Sequence, residues 1–152
     1  MDRYKVKYLL DACFTAKRIT ETMLDLPKGL KPRHIHVIDC IAETKKIKEK
    51  VCVSDISSAL KITTPSVTKL INELDEKGLI NKENKDEDKR VVTLSLTDLG
   101  EEYYNYFVVE YHNRIAYKLK DISSEQCEIA IDIIEKMYKA VKSIEKEGLE
   151  NE

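Results

Sequence analysis

Residues 62–80, ITTPSVTKLINELDEKGLI, constrain the fold of this chain more than any other stretch. Val67, Leu70, Ile71 and Leu74 recur at i, i+3, i+4 and i+7, the spacing that lines one side of a helix with apolar groups. Pro65 fits the first turn, where its missing amide hydrogen costs nothing, and Thr63 or Thr64 is placed to accept hydrogen bonds from first-turn amides. Gly78 supplies the stop. Ser66, Thr68, Lys69 and Asn72 then lie off the apolar stripe. Just upstream, Ser54 is expected to cap a short helix ending near Lys61, so that 55–61 and 64–77 form a helix-turn-helix with its turn around Ile62.

Beyond Leu79 the period changes. ENKDEDKR, residues 83–90, places seven charges in eight positions, and Val92, Leu94 and Leu96 then alternate with Thr93 and Ser95. Alternation of period two is the pattern of a strand with one face on a core. A hairpin appended directly to a helix-turn-helix is a wing. Residues 51–53 are expected to add a short strand.

The flanks return to helical spacing. Val6, Leu9, Leu10, Cys13, Phe14 and Ile19 mark a helix over 4–24 that DLPKGLKP ends, and Pro32 opens a second helix carrying Ile35, Ile38, Ile41 and Ala42. Lys45 to Lys50 reads as a solvated basic loop after it. Thr97 is expected to cap a long helix to about Lys120, with Tyr103, Tyr104, Phe107, Val108, Tyr111 and Ile115 on its apolar side. Ile129, Ile133, Met137, Val141 and Ile144 mark a final helix. These helices carry more apolar surface than a compact lobe needs, which suggests a subunit interface shared with the first helix.

Composition narrows the classes of function. With 152 residues, 42% hydrophobic and 36% charged, the chain reads as one soluble, helix-rich domain. No apolar run is long enough to span a membrane and MDRYKVKYLLDACF lacks a signal-peptide pattern, so the cytoplasm is the expected location and no membrane partner is expected. The net charge of −2 is uneven: residues 1–53 carry twelve Lys/Arg against seven Asp/Glu, whereas residues 97–152 carry seven against thirteen. One face could therefore attract a polyanion while another repels it. The cysteines at 13, 40, 52 and 127 form no CxxC pair and are expected as small core side chains.

No nucleophile motif, phosphate-cradling glycine loop or carboxylate pair is evident, so no enzyme activity and no cofactor are expected. His36 and Cys40 at i, i+4, with Cys52, His34 or His112, would make a metal-responsive regulator conceivable, but such dispersed ligands predict no metal site. The major groove of DNA admits one helix, and residues on its outward leading face reach base edges. Thr63, Thr64, Ser66, Thr68, Lys69 and Asn72 fit that role. In the wing, Lys82, Lys85, Lys89 and Arg90 can approach the phosphate backbone or minor groove, with Asp88 placed to orient Arg90.

SDISSALKITTPSVTKLINELDEKGLI followed by DEDKRVVTLSLTDLG resembles the MarR family of transcriptional regulators. The likeness rests on the V-T-K-L segment where the family commonly has V-T-R-L, the E-x-x-G-L-I exit, the D-x-R of the wing and the L-T-x-x-G entry into the next helix. It covers residues 54–100 directly and the flanking helices more loosely. The resemblance implies a mainly α fold with a small β hairpin: a winged helix-turn-helix with long N- and C-terminal dimerisation helices. It would form one domain over 1–152, with a DNA-binding lobe at 33–96 and dimerisation helices at 1–30 and 97–147. It also implies a homodimer on pseudo-palindromic double-stranded DNA, with Ser66, Thr68 and Lys69 on the major-groove face and Asp88 and Arg90 as the wing pair. Lysine at 69 lacks the fixed fork of arginine. The expected function is that of a sequence-specific regulator, a repressor released by a small aromatic or phenolic effector. A dimeric protein-interaction module that has lost DNA binding is the alternative.

Overall fold

The computed structural model describes residues 1–83 and 92–149. They fall into two units, Met1–Asn113 and Arg114–Glu152. In the first, α1 (Arg3–Glu21) starts where the Asp2 carboxylate accepts from the Lys5 amide, and it buries none of its side chains. Second comes α2 (Pro32–Ile47), opened by Pro32 as its sequence predicts. Ile35, Val37, Ile38 and Ile41 of α2 are all essentially buried, which makes this helix the centre of the core. Each such aliphatic side chain contributes about 1.5–3 kcal/mol when taken out of water.

Around α2 pack β1 (Val51–Cys52), α3 (Val53–Leu60), α4 (Thr64–Glu76), β2 (Ile80–Glu83) and β3 (Thr93–Leu96). Their contributions to the core, with that of the α4–β2 turn, are Val51, Ile56, Val67, Ile71, Leu74, Leu79, Ile80 and Leu94. The hairpin β2–β3 is antiparallel with Ile80 opposite Leu96, and β1 joins on the far side of β3, giving the order β1-β3-β2. Leu94, predicted inward by the alternation, is the buried residue of β3.

Several local expectations are corrected. Ser54 is not the cap of α3, because that helix begins at Val53, two residues before the expected start, and Asp55 closes its first turn by accepting from the Cys52 amide at 2.7 Å. Lys48 donates to the same carboxylate at 2.7 Å, and this bond, with help from the Cys52 amide, holds the Asp55 carboxyl below its ordinary range. Asp55→Ala is therefore expected to cost about 1 kcal/mol. The carboxylate's contribution is fully present above the ordinary aspartate pKa and disappears as pH falls through the lowered value, so the gap between variant and wild type in urea melts should close in acid. A gap that is the same at neutral and acid pH would contradict this account.

Neither threonine caps α4 with its side chain: Thr63 is the N-cap by backbone geometry, but its hydroxyl pairs with the Ser66 hydroxyl at 2.9 Å instead of a first-turn amide. The basic stretch 45–50 is not wholly a loop. Lys45 and Lys46 lie in the last turns of α2, where cations suit the helix dipole, and Lys46 also donates to the Tyr104 hydroxyl at 3.2 Å.

Thr97 does cap the next helix, accepting from the Gly100 amide at 3.0 Å. That helix is interrupted: α5 (Asp98–Tyr104) passes into a π-helical segment, Asn105–Glu110, before α6 (Tyr111–Lys118). Phe107 and Val108 of the π segment reach the same core as α2 and α4. A π segment inserts extra residues per turn and rotates the helix beyond it, a shift that apolar periodicity cannot register.

In the second unit, α7 (Ser124–Leu149) starts beyond a break near Ser123. Ile129, Ile133, Val141 and Ile144 are all exposed on it. No described helix is long and apolar enough to cross a membrane.

Candidate nucleic-acid interface

The helix-turn-helix is closed by backbone and hydroxyl bonds. Lys61 takes left-handed geometry (φ 53°) to reverse the chain, the Ile62 amide donates to the Ser57 carbonyl at 3.3 Å, and the Ser57 hydroxyl donates to the Ile62 carbonyl at 2.7 Å. Ser57 thus fixes the angle at which α4 leaves α3, a role its sequence context does not advertise. At the far end Gly78 (φ 68°) ends α4 in a Schellman arrangement, with the Leu79 amide on the Leu74 carbonyl and the Gly78 amide on the Asp75 carbonyl.

With Val67, Ile71 and Leu74 turned inward, α4 leaves Thr63, Thr64, Ser66, Thr68, Lys69 and Asn72 exposed. All six are exposed, Thr63 as the N-cap and the other five within the first nine residues of α4. Two of them are partly committed: the Thr68 hydroxyl donates back to the Thr64 carbonyl at 2.9 Å, leaving it acceptor capacity, and the Asn72 carbonyl accepts from Lys82 at 3.0 Å, leaving its two N–H donors outward. Lys82 also pairs with Asp75 at 2.8 Å. It ties β2 to α4 rather than standing free as a backbone contact. Lys85, Asp88, Lys89 and Arg90 lie outside the described residues.

A fastening that sequence reasoning missed lies behind α4. His34 is 1% exposed; its Nδ1 accepts from the Lys31 amide at 2.9 Å, so the proton sits on Nε2, which donates to the Glu73 carboxylate at 2.7 Å. That hydrogen bond is the main reason the Glu73 carboxyl is held below its ordinary range. The signal is present in register: His34 stands at i relative to Ile38 at i+4 and Ile41 at i+7, which places it on the inward stripe.

The other sequence candidates separate. His36 Nε2 lies 3.0 Å from the Thr20 carbonyl and Cys40 Sγ 4.0 Å from the Thr44 hydroxyl, and among the described residues no cluster of three or more His, Cys, Asp or Glu is disposed to hold a metal ion. Cys13 and Cys127 are exposed, not core, and Cys40 and Cys52 are half-buried; Phe14, the neighbour of Cys13 on the apolar side of α1, is itself 71% exposed. Both exposed cysteines sit on helices with exposed apolar groups, Phe14 and Ile19 on α1 and Ile129 and Ile134 on α7.

Comparison with known proteins agrees with this architecture. Residues 30–92 match the model of the MarR family. Over that segment, less than half of its length, the chain is similar to the MarR family. Among relatives, the HTH-type transcriptional regulator YdgJ of Bacillus subtilis is 27% identical over 97 residues, 64% of this chain and 59% of that protein. The transcriptional repressor MdtR of the same organism is 25% identical over 122 residues, 80% of this chain and 76% of MdtR. The match thus spans less than two thirds of YdgJ. In fold, the chain is similar to Streptococcus pneumoniae FabT, solved in complex with DNA, with a TM-score of 0.64 and 24% identity over 94% of this chain and 99% of FabT.

Proposed function

We propose that this chain is a sequence-specific DNA-binding transcriptional regulator of the MarR kind, a homodimeric repressor released from its operator by a small effector. The observation that carries this reading is the two-sided character of α4, whose Val67, Ile71 and Leu74 lie in the core with Leu70 half-buried at its edge, while its leading polar side stays exposed beside a wing. A helix of about 10–12 Å diameter fits a major groove about 12 Å wide. Ser66, Thr68 and Asn72 would read base edges there, and Lys69 would meet a guanine or a phosphate. From the sequence resemblance, Lys85, Lys89 and Arg90 are assigned to the neighbouring backbone or minor groove, with Asp88 orienting Arg90.

Dimerisation is supported by apolar groups exposed in a single chain, including Tyr8 and Phe14 on α1 and Ile134 and Val141 on α7. Two lobes must meet successive turns of one groove face about 34–36 Å apart, so an effector that binds one lobe spacing better than another shifts the population away from DNA. The name of MdtR as a repressor and the capture of FabT on DNA support the reading by likeness.

Binding to duplexes taken from the DNA flanking the encoding gene, set against random duplex, tests it. Ser66→Ala and Thr68→Ala are each expected to lose about 1 kcal/mol, roughly five- to tenfold, on the specific duplex and little on random DNA. Arg90→Ala should weaken both alike. Equal losses on both duplexes for all three variants would exclude this division of roles, and no saturable binding to any duplex would exclude DNA recognition itself.

A further inference from the structure

Alongside α4, at the start of α2, lies a groove lined by Lys31, Arg33, Ser66 and Lys69 over Ile62 and Leu70, with Glu73 also on its wall. Three of these are cations. The single carboxylate is already engaged, by His34 Nε2 at 2.7 Å and by Lys69 Nζ at 4.0 Å. Lys31 and Arg33 are exposed; among the described residues neither makes a hydrogen bond or an ion pair at contact distance through its side chain, although the Lys31 charge adds weakly to those that hold the Glu73 carboxyl down. Many other surface lysines differ in this respect, being spent on carboxylates one helical turn away, as in Lys7 with Asp11, Lys46 with Glu43, Lys136 with Asp132 and Lys142 with Glu145.

We propose that Lys31 and Arg33 form a phosphate clamp, holding the DNA strand that walls the major groove while α4 occupies the groove. This rests on the DNA-binding reading above and extends the interface to an element outside the helix-turn-helix and wing. The physical reason is one of dimensions. A helix with its side chains nearly fills the groove, so a cation in a cleft shared with its outward residues Ser66 and Lys69 faces the phosphates on the wall and not the bases. Arginine at 33 can take two phosphate oxygens with its planar fork, and lysine at 31 acts as a point charge beside it. Lys31 is also the residue whose amide donates to His34, so the clamp and the His34–Glu73 fastening of α4 share one backbone turn. The phosphate grip and the angle of the reading helix are thereby held in one register.

The test is the salt dependence of binding by the full chain to a duplex that the wild type recognises. Removing one phosphate-binding cation should make the slope of log K against log salt concentration shallower by about 0.9. Lys31→Ala with Arg33→Ala removes four cations from the homodimer and is expected to flatten the slope by about 2–4 and to weaken specific and random duplex by the same factor, roughly 100-fold or more at low salt. The exchange Lys31→Arg with Arg33→Lys should keep the wild-type slope, and Lys136→Ala, on α7, should leave it unchanged. An unaltered slope in the double alanine variant, with wild-type binding intact, overturns the clamp and leaves the DNA-binding reading standing. A flattened slope accompanied by loss of helical signal assigns Lys31 and Arg33 to folding and also overturns it. A wild type that binds no duplex overturns the functional reading and the clamp together.

Discussion

Gly100→Ala is expected to destabilise the protein by about 3 kcal/mol or more, beyond the usual range for an exposed or half-exposed helix position. A methyl group at this position would stand 2.0 Å from the Leu79 carbonyl oxygen, 3.1 Å from its carbon and 3.2 Å from the Leu96 Cβ. The obstacle is backbone, so no rotamer change relieves it. Nor is that carbonyl free to move, because it accepts from the Thr97 amide at 3.2 Å. Thr97 is itself held from both sides, donating its hydroxyl to the Gly78 carbonyl at 2.6 Å while accepting from the Gly100 amide. Helix propensity would favour alanine by about 1 kcal/mol, so the clash must outweigh it. Gly78→Ala is the informative control: its φ of 68° disfavours a side chain, yet nothing lies within 4 Å of the added carbon, and a cost of only about 1–2 kcal/mol is expected. Urea melts of the two variants separate clash from strain, and a Gly100→Ala protein as stable as Gly78→Ala would show that α5 slides freely off Leu79.

His34→Ala is the second large effect. It removes a fully buried ring, orphans the Lys31 amide and strips Glu73 of its main partner, for an expected loss of about 3 kcal/mol. Glu73→Gln keeps an acceptor for Nε2 and should cost much less at neutral pH. Because the Glu73 carboxyl is held below its ordinary range, its contribution is complete above the ordinary glutamate pKa and vanishes as pH drops through the lowered value. Wild type and Glu73→Gln should therefore converge in stability as pH falls through and below the ordinary glutamate range. In function, both variants loosen α4 from α2, and His34→Ala is expected to weaken operator binding even at temperatures where the lobe remains folded. Full operator affinity in a folded His34→Ala protein would mean that α4 is aimed by its apolar stripe alone.

What could be read from residues alone is what repeats at short range. The stripe Val67, Leu70, Ile71 and Leu74, of which Leu70 is half-buried and the rest buried, the alternation through Leu94, the Gly78 stop and the Thr97 cap all depend on neighbours within a turn or a pleat. The outward set on α4 follows from the same periodicity, since fixing one side of a helix fixes the other.

Tertiary structure decided what depends on distant partners. Pairing of β1 with β3 joins residues roughly forty positions apart, and His34 finds Glu73 across thirty-nine. Lys82, which reads as one more basic wing residue, is taken up by Asn72 and Asp75 once the hairpin folds back on α4. Phe107 and Val108 reach the core as their apolar spacing predicts, but through a π segment that this spacing does not announce, and Cys13 and Cys127, expected inside, are exposed on α1 and α7. Local periodicity encodes which side of an element is apolar; which charges stay unpaired after packing, Lys31 and Arg33 among them, is set only when elements far apart in the chain meet.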